Sequence, residues 1–509
     1  MASLHLSEEA LHNKPDQLGF QTGHSNFATP SSGAQSLLPS DNDGEAKSKK
    51  CSLDGVRQLD PEVSRDQGTR TTVTWDGPAD PSNPRNWPGR QKWINVFLIS
   101  LQGTLSPIAS TILALGSLQI ASDFSLTDPY TPALPVGLYV LGLGIGPVLV
   151  APCSELYGRR IAYITCFTIF TILNVGCALA PNITALSILR LLSGMGGSAG
   201  PSLGGSSIAD MFHPKERGRA QAVYSLGPTT GPVIGGLIGG FIVYYTGNWR
   251  WMMWVMAIAS GTTAFAAICF QRETYGPILL QWKKKRLESE KPNISYQTGH
   301  ENHGKGLLRR AFTRPMRLLF TSPICAFMSL YLALIYGILY LHLITITLLF
   351  GSTPIYGLFS YRWTDGTTGL AYLGAGLGSM IGIAICAKFL NRSYNYMARR
   401  YEEKHDHPGH MPEFRLPFMQ VGLTIVPAGL IMFGWSAEKQ THWIVPLLGA
   451  CIFGLGMLMS YVCIHTYLTD AFEQYAASAL AAAVVTRCLL SCVFTIVGFQ
   501  LYRRLGYAW

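Results

Sequence analysis

Ile161-Ala-Tyr-Ile-Thr-Cys-Phe-Thr-Ile-Phe-Thr-Ile-Leu-Asn-Val-Gly-Cys-Ala-Leu-Ala180 carries no formal charge and lies between Arg159-Arg160 and Pro181-Asn182. A helix rises about 1.5 Å per residue, so a run of this length covers a hydrocarbon core about 30 Å thick. Working outward, comparable runs occupy residues 93–115, 132–152, 161–180, 185–208, 220–244, 249–270, 322–349, 367–390, 416–435, 443–466 and 476–502. The expected fold is therefore an all-α polytopic membrane protein with about eleven transmembrane helices. The 48% hydrophobic and 13% charged content of the 509 residues agrees with that reading.

Residues 1–90 differ in kind. They are rich in Ser, Asp, Glu, Lys, Gly and Pro, lack helical periodicity, and are expected to form a disordered tail. No charged start followed by an apolar core and a cleavage site marks a secretory signal. The net charge of +10 follows the loops rather than a nucleic-acid surface. Arg85, Arg90, Lys92, Arg159, Arg160, Lys215, Arg217 and Arg219 all fall on one side if the loops alternate. Lys283, Lys284, Lys285, Arg286, Arg309, Arg310, Arg314 and Arg317 fill the long segment after span six on that same side, and Arg392, Arg399 and Arg400 follow span eight. The positive-inside rule then makes the tail cytoplasmic, and the plasma membrane is the expected location. Ten of the eleven cysteines lie in or beside apolar runs and read as small core residues, with no metal site.

The gap at 271–321 divides six spans from five, which predicts a bundle at 91–270, a cytoplasmic central loop at 271–321 and a second bundle at 322–509. An internal repeat supports two pseudo-equivalent halves. Leu141-Gly-Leu-Gly-Ile-Gly146 of span two matches Leu373-Gly-Ala-Gly-Leu-Gly378 of span eight. Gly194-Met-Gly196 and Asp210 of span four match Gly454-Leu-Gly456 and Asp470 of span ten. Two six-helix halves in the same orientation are what parallel repeats imply.

Three motifs carry the functional expectation. At the exit of span two, Glu155, Gly158, Arg159 and Arg160 form a charged turn, read as a latch between the halves with Glu155 able to sit at a helix N-terminus. Arg190 in span four and Arg487 in span eleven are arginines at membrane depth, which must face the bundle interior or snorkel. Gly227-Pro228-Thr-Thr-Gly231-Pro232-Val-Ile-Gly235-Gly236 makes span five a flat helix suited to close approach. Tyr336, Tyr340, Tyr461, Tyr467, Phe327 and Phe453 are candidate stacking faces, and His342 and His465 candidate proton carriers.

Together these pieces resemble the major facilitator superfamily over about residues 75–509, and closely the fungal branch of its twelve-spanner drug:proton antiporters. The span-two exit resembles the superfamily's loop signature, with Glu155 where many members have Asp. Arg190 falls on an arginine the family implicates in proton coupling, and Gly231-Pro232-Val-Ile-Gly235-Gly236 resembles the antiporter signature. Asp80-Pro-Ser-Asn-Pro-Arg-Asn-Trp87 resembles the pre-membrane segment. The family pattern continues past Trp509 into a twelfth span, so the resemblance implies that the last helix is missing here or that the reading frame is truncated.

The implied function is proton-coupled export of small amphipathic or aromatic compounds, such as drugs, a toxin or another secondary metabolite, by alternating access. The protein is expected to act as a monomer in the bilayer, with no cofactor beyond the proton gradient and no nucleic-acid partner. No acidic residue lies in the middle of a span, which disfavours polyamine cargo. A polyamine exporter, a nutrient importer and a non-transporting scaffold or sensor are the alternatives. Enzyme chemistry finds little support: Gly299-His-Glu-Asn-His-Gly304-Lys305 lacks the Ser or Thr of a phosphate-binding loop, and His300 and His303 miss zinc-hydrolase spacing. His405, His407 and His410 read as a solvated turn. Asn182-Ile-Thr184 is a glycosylation sequon on the expected outer side.

Overall fold

The computed structural model describes residues 71–126, 128, 131–291, 296–298, 304–352, 358–405, 411–472 and 475–507. A short strand β1 (Thr71–Val73) precedes helix α1 (Gly89–Thr111), which continues through a 3-10 turn into α2 (Ser117–Asp123). The first half then runs α3 (Leu134–Tyr157), α4 (Arg159–Ala178), α5 (Ile183–Gly197), α6 (Ala199–Met211), α7 (Pro214–Thr246) and α8 (Arg250–Phe270). The connecting segment holds α9 (Gly276–Glu290), β2 (Tyr296–Thr298) and α10 (Gly304–Thr321). The second half comprises α11 (Pro323–Phe350), α12 (Asp365–His405), α13 (Leu416–Glu438), α14 (Ile444–Phe472) and α15 (Ala476–Leu505).

Among the described residues, ten helical segments are long and apolar enough to cross a membrane, α1 and α2 counting as one. The eleventh crossing is the α5–α6 pair. The Ser198 N–H donates to the Gly194 carbonyl and the Ser202 N–H to the Ser198 carbonyl, both at 3.1 Å, so the rod continues through Ser198. The expected all-α membrane fold with about eleven spans is thus what the chain forms.

Three local expectations change. Residues 71–88, expected to belong to the disordered tail, carry β1 and a 3-10 turn at 84–86; residues 1–70 lie outside the described part. The segment expected as a central loop contains two helices and a strand, and β1 pairs with β2 in parallel from Thr71 opposite Tyr296 to Val73 opposite Thr298. Lys283 on α9 reinforces that pairing through the Asp76 carboxylate at 2.5 Å and the Thr74 carbonyl at 3.0 Å. Span eight does not end near 390: α12 continues through His405, because nothing from Asn391 to His405 breaks a helix. His407 and His410, with residues 299–303 of the rejected phosphate-loop match, lie outside the described residues.

The repeat is visible in packing. Gly142 and Gly146 of α3 face α5 at Leu191 and Ser198, while Gly144 faces Cys488 of α15 across the halves. Their counterparts behave alike: Gly374 and Gly378 of α12 face α14 at Leu447 and Cys451, while Gly376 faces Val233 of α7 across the halves. Alternate glycines bind each helix to its own half and to the other, because only a missing Cβ lets backbones approach this closely.

The buried core is asymmetric along the membrane normal. At the end carrying Asn182, one cluster takes residues from both halves, including Ile112, Tyr139 and Trp249 from the first and Leu349, Tyr372 and Phe433 from the second. At the end carrying Gly158, the first half has its own cluster around Tyr163, Leu203 and Met211, and the second has another around Leu332, Met419 and Leu468. The halves are joined at one end and hold separate cores at the other.

Two outcomes follow from this packing. A Cβ at Gly144 would stand 2.5 Å from the Cys488 side chain and one at Gly376 2.7 Å from Val233, whereas one at Gly218 meets nothing. Gly144→Val and Gly376→Val should each lower stability by about 1–3 kcal/mol, and Gly218→Ala should leave it equal or higher, as read by thermal unfolding of the purified protein. The second concerns Asp80, whose carboxylate accepts the N–H groups of Asp76 (2.9 Å) and Ser82 (2.8 Å). These bonds hold its carboxyl below the usual range, so its contribution is complete above about pH 4 and is lost as pH falls through the lower folded value. Hydrogen exchange over residues 76–87 should be faster in Asp80→Asn than in wild type at neutral pH, and the difference should shrink as pH falls below about 4 and vanish only below the lower folded value.

Candidate functional site

The two arginines at membrane depth have different surroundings. Arg190 is fully buried. Its guanidinium donates to the Ala109 carbonyl at 2.6 Å and the Pro135 carbonyl at 3.4 Å, and stands 4.2 Å from the ring centroid of Tyr139. Ala109 lies in the last turn of α1, where carbonyls lack the regular helical donor. Tyr139 in turn donates to the Ser106 carbonyl at 2.9 Å. The arginine therefore pins α1, α3 and α5 together, the carbonyl-bonded outcome rather than snorkelling.

Arg487, in α15, is half-buried. Its guanidinium lies 4.3 Å from the Tyr336 ring centroid and 5.8 Å from that of Tyr461. The two rings are 5.6 Å apart, and His465 stands 4.8 Å from Tyr461. Tyr336, Tyr461 and His465 are half-buried as well. This group sits where the joined core gives way to the separate ones: Cys488 and Tyr340 belong to the joined core, while Tyr336 and Tyr461 pack against the second half's own cluster. The sequence candidates Arg487, Tyr336, Tyr461 and His465 are thus brought together from α11, α14 and α15.

Other aromatic and histidine candidates go elsewhere. Tyr340 is a strut between halves, donating to Ser110 Oγ at 3.2 Å. Phe327 is 68% exposed on the bundle's outer surface, while Phe453 and Tyr467 are buried in the second half. His342 is enclosed by Phe433 and Phe453, with ring centroids at 4.3 and 5.2 Å.

The charged turn differs from expectation in its key carboxylate. Gly158 turns the chain from α3 to α4 at φ 101°, a conformation L side chains rarely adopt, and a Cβ there would collide with the Glu273 carboxylate. Glu273 accepts from the N–H groups of Arg159 (2.9 Å), Arg160 (3.0 Å), Thr274 (3.1 Å) and Tyr275 (2.9 Å). It occupies the positive N-terminus of α4. Glu155, proposed for that place from sequence, lies in the last turn of α3, at the opposite polarity. Arg159 donates to Ser154 Oγ at 2.6 Å and to Asp210 at 3.5 Å, and Arg160 to the Ile268 carbonyl at 2.9 Å. These bonds lie within the first half, so in this arrangement the turn organises α3, α4, α6 and α8 rather than spanning the halves. The second half repeats the pair, Arg415 donating to Asp470 at 2.6 Å.

Span five presents two faces. Gly231 and Gly235 lie against Pro107, Ile108 and Thr111 of α1, and the Pro232 carbonyl accepts from Thr111 Oγ1 at 2.7 Å. Gly236 lies against the Tyr372 ring of α12, across the halves. The expected face between halves exists, but half of the motif binds α1 instead. Asn182 is exposed, and its Oδ1 accepts the Ala185 N–H at 2.8 Å as the N-cap of α5.

Sequence reading missed Glu273, Tyr139, Tyr372 and Arg415. Arg415 had a usable signal, since Asp210 and Asp470 correspond and each needs an arginine from the start of the third span of its half. Glu273, in the polar run after span six, had none.

Two helical halves with matched glycine faces, joined at one end and separate at the other, define a polytopic membrane transporter rather than an enzyme. The Major Facilitator Superfamily pattern matches residues 93–495, and the chain belongs to that family. Among fungal relatives, the MFS-type transporter penM of Penicillium rubens is 40% identical over 439 residues, covering 86% of this chain and 84% of that one. Efflux pump radE of Floropilus chiversii is 37% identical over 454 residues, covering 89% and 82%. The inward-open xylose transporter XylE from E. coli superposes with a TM-score of 0.57 at 16% identity, covering 82% of this chain and 92% of that one, a likeness of fold.

Removing the cap on α4 tests the turn. Glu273→Ala leaves buried N–H groups unmatched and should cost about 1–3 kcal/mol, with Glu273→Gln intermediate, as measured by thermal unfolding.

Proposed function

We propose that this transporter is a proton-coupled exporter of small amphipathic or aromatic compounds that works by rocking its two halves about a site between them. The carrying observation is the asymmetry of the core, joined at the Asn182 end and separate at the Gly158 end. Packed interfaces are bistable, so such an arrangement supports one state of an alternating-access pair. Arg159, Arg160, Arg217, Arg219 and Lys283 lie toward the Gly158 end. The positive-inside rule places that end, with the N-terminal tail, in the cytoplasm, and the state is then inward-facing.

Export rather than import is supported by the relative named efflux pump radE and by the glycine face of α7 against α12. The Arg487, Tyr336, Tyr461 and His465 group is the proposed substrate contact. His465 is the proposed proton carrier, as a side chain whose ordinary pKa lies near neutrality. One proton crossing 100 mV contributes about 2.3 kcal/mol and each pH unit about 1.4. A single proton with both terms therefore sustains a gradient of about 500-fold.

Cells expressing the protein in the plasma membrane should accumulate less of a hydrophobic fluorescent compound than cells lacking it, and a protonophore should remove the difference. Equal accumulation across a broad compound panel overturns export. A difference that survives the protonophore overturns proton coupling.

A further inference from the structure

Three arginines of the helix bundle have oxygen partners within the protein. Arg190 is bonded to two carbonyls, Arg159 to Ser154 and Asp210, and Arg415 to Asp470. Arg487 has no carbonyl or carboxylate partner among the described residues; it is framed by the faces of Tyr336 and Tyr461. Its side-chain hydrogen bond is to the Cys488 sulfur, a weak acceptor that leaves most of the five guanidinium N–H donors open to a ligand oxygen. The acidic residues of the described second half, Asp365, Glu402, Glu403, Glu413, Glu438 and Asp470, all lie at helix ends or beyond the apolar span. A positive charge therefore stands half-buried at the junction of joined and separate cores with no counter-ion among the described residues.

We propose that Arg487, held by Tyr336 and Tyr461, recognises a carboxylate on the cargo, and that the exported compounds are aromatic acids. The proposal rests on the export reading and names its substrate class. The guanidinium fork matches a planar carboxylate through two parallel hydrogen bonds, a geometry that ammonium and neutral amide groups do not reproduce. Binding an anion neutralises the Arg487 charge, so the loaded group is cheaper to enclose when the halves close than the empty one. The tyrosine faces extend the same surface to an aromatic body. A polyamine meets the reverse situation, with a fixed cation and no acid.

The test uses the full-length protein in lipid nanodiscs and matched probes: naphthoate and indole acetate, the amide of each, and the corresponding amines. Wild type should bind each acid at least about tenfold more tightly than its amide, the size one charge-assisted pair supplies, and bind the amines most weakly. Arg487→Gln should bring the ratio of acid to amide affinity down to about one. Should that variant fail to fold, wild type decides: modification of Arg487 by phenylglyoxal, followed by mass spectrometry, should be slowed by the acids and not by the amides. Acids binding no more tightly than amides, a preference that survives in Arg487→Gln, or equal protection by acids and amides overturns the proposal. Binding is read at equilibrium, independently of transport direction. Selective binding of acids in a protein that fails the accumulation assay therefore overturns export while leaving carboxylate recognition by Arg487 standing.

Discussion

Close approach of helices through missing side chains is the constraint on which the rest of the structure depends. In a bilayer, water offers no hydrogen bonds and apolar surfaces gain little by meeting one another, so helices associate through van der Waals contact and a few internal polar bonds. Gly142, Gly146, Gly374 and Gly378 bring α3 and α12 against the helices of their own halves, while Gly144, Gly376 and Gly236 bring the halves together. Contacts between halves concentrate on a few flat surfaces. A rigid-body motion can then exchange them without unfolding either bundle, because each half keeps its own glycine contacts.

The polar interior follows the same economy of partners. A buried guanidinium is tolerated where carbonyls and an aromatic face receive it, as at Arg190, whose bonds tie three helices. The turn at Gly158 applies this at a helix end, where Glu273 supplies acceptors for the N–H groups of α4. Arg487 differs, because its in-plane donors have no oxygen partner among the described residues and it stands at the place where the two halves part.

Much of this was legible in the chain. Span number, the division into halves, and the glycine repeat at 141–146 and 373–378 all came from composition and spacing. Arg190, Arg487, Tyr336, Tyr461 and His465 stood out as polar or aromatic residues in apolar runs. The roles were less legible than the residues. Glu155 and Glu273 are both acids flanking a span, and only the path of α8 back toward the Gly158 turn distinguishes them. Likewise, Phe327 and Tyr336 lie on the same helix, one toward the outer surface and one toward Arg487.

By itself the sequence determined that this chain inhabits a membrane, in repeated helices with one basic side, because transfer of apolar side chains and charges is governed by local composition. Tertiary structure alone decided which arginine is satisfied, which carboxylate caps α4, and which end of the bundle is joined. Those outcomes depend on distances between residues far apart in the chain, such as Arg190 to Ala109 and Arg159 to Glu273, which no local pattern encodes.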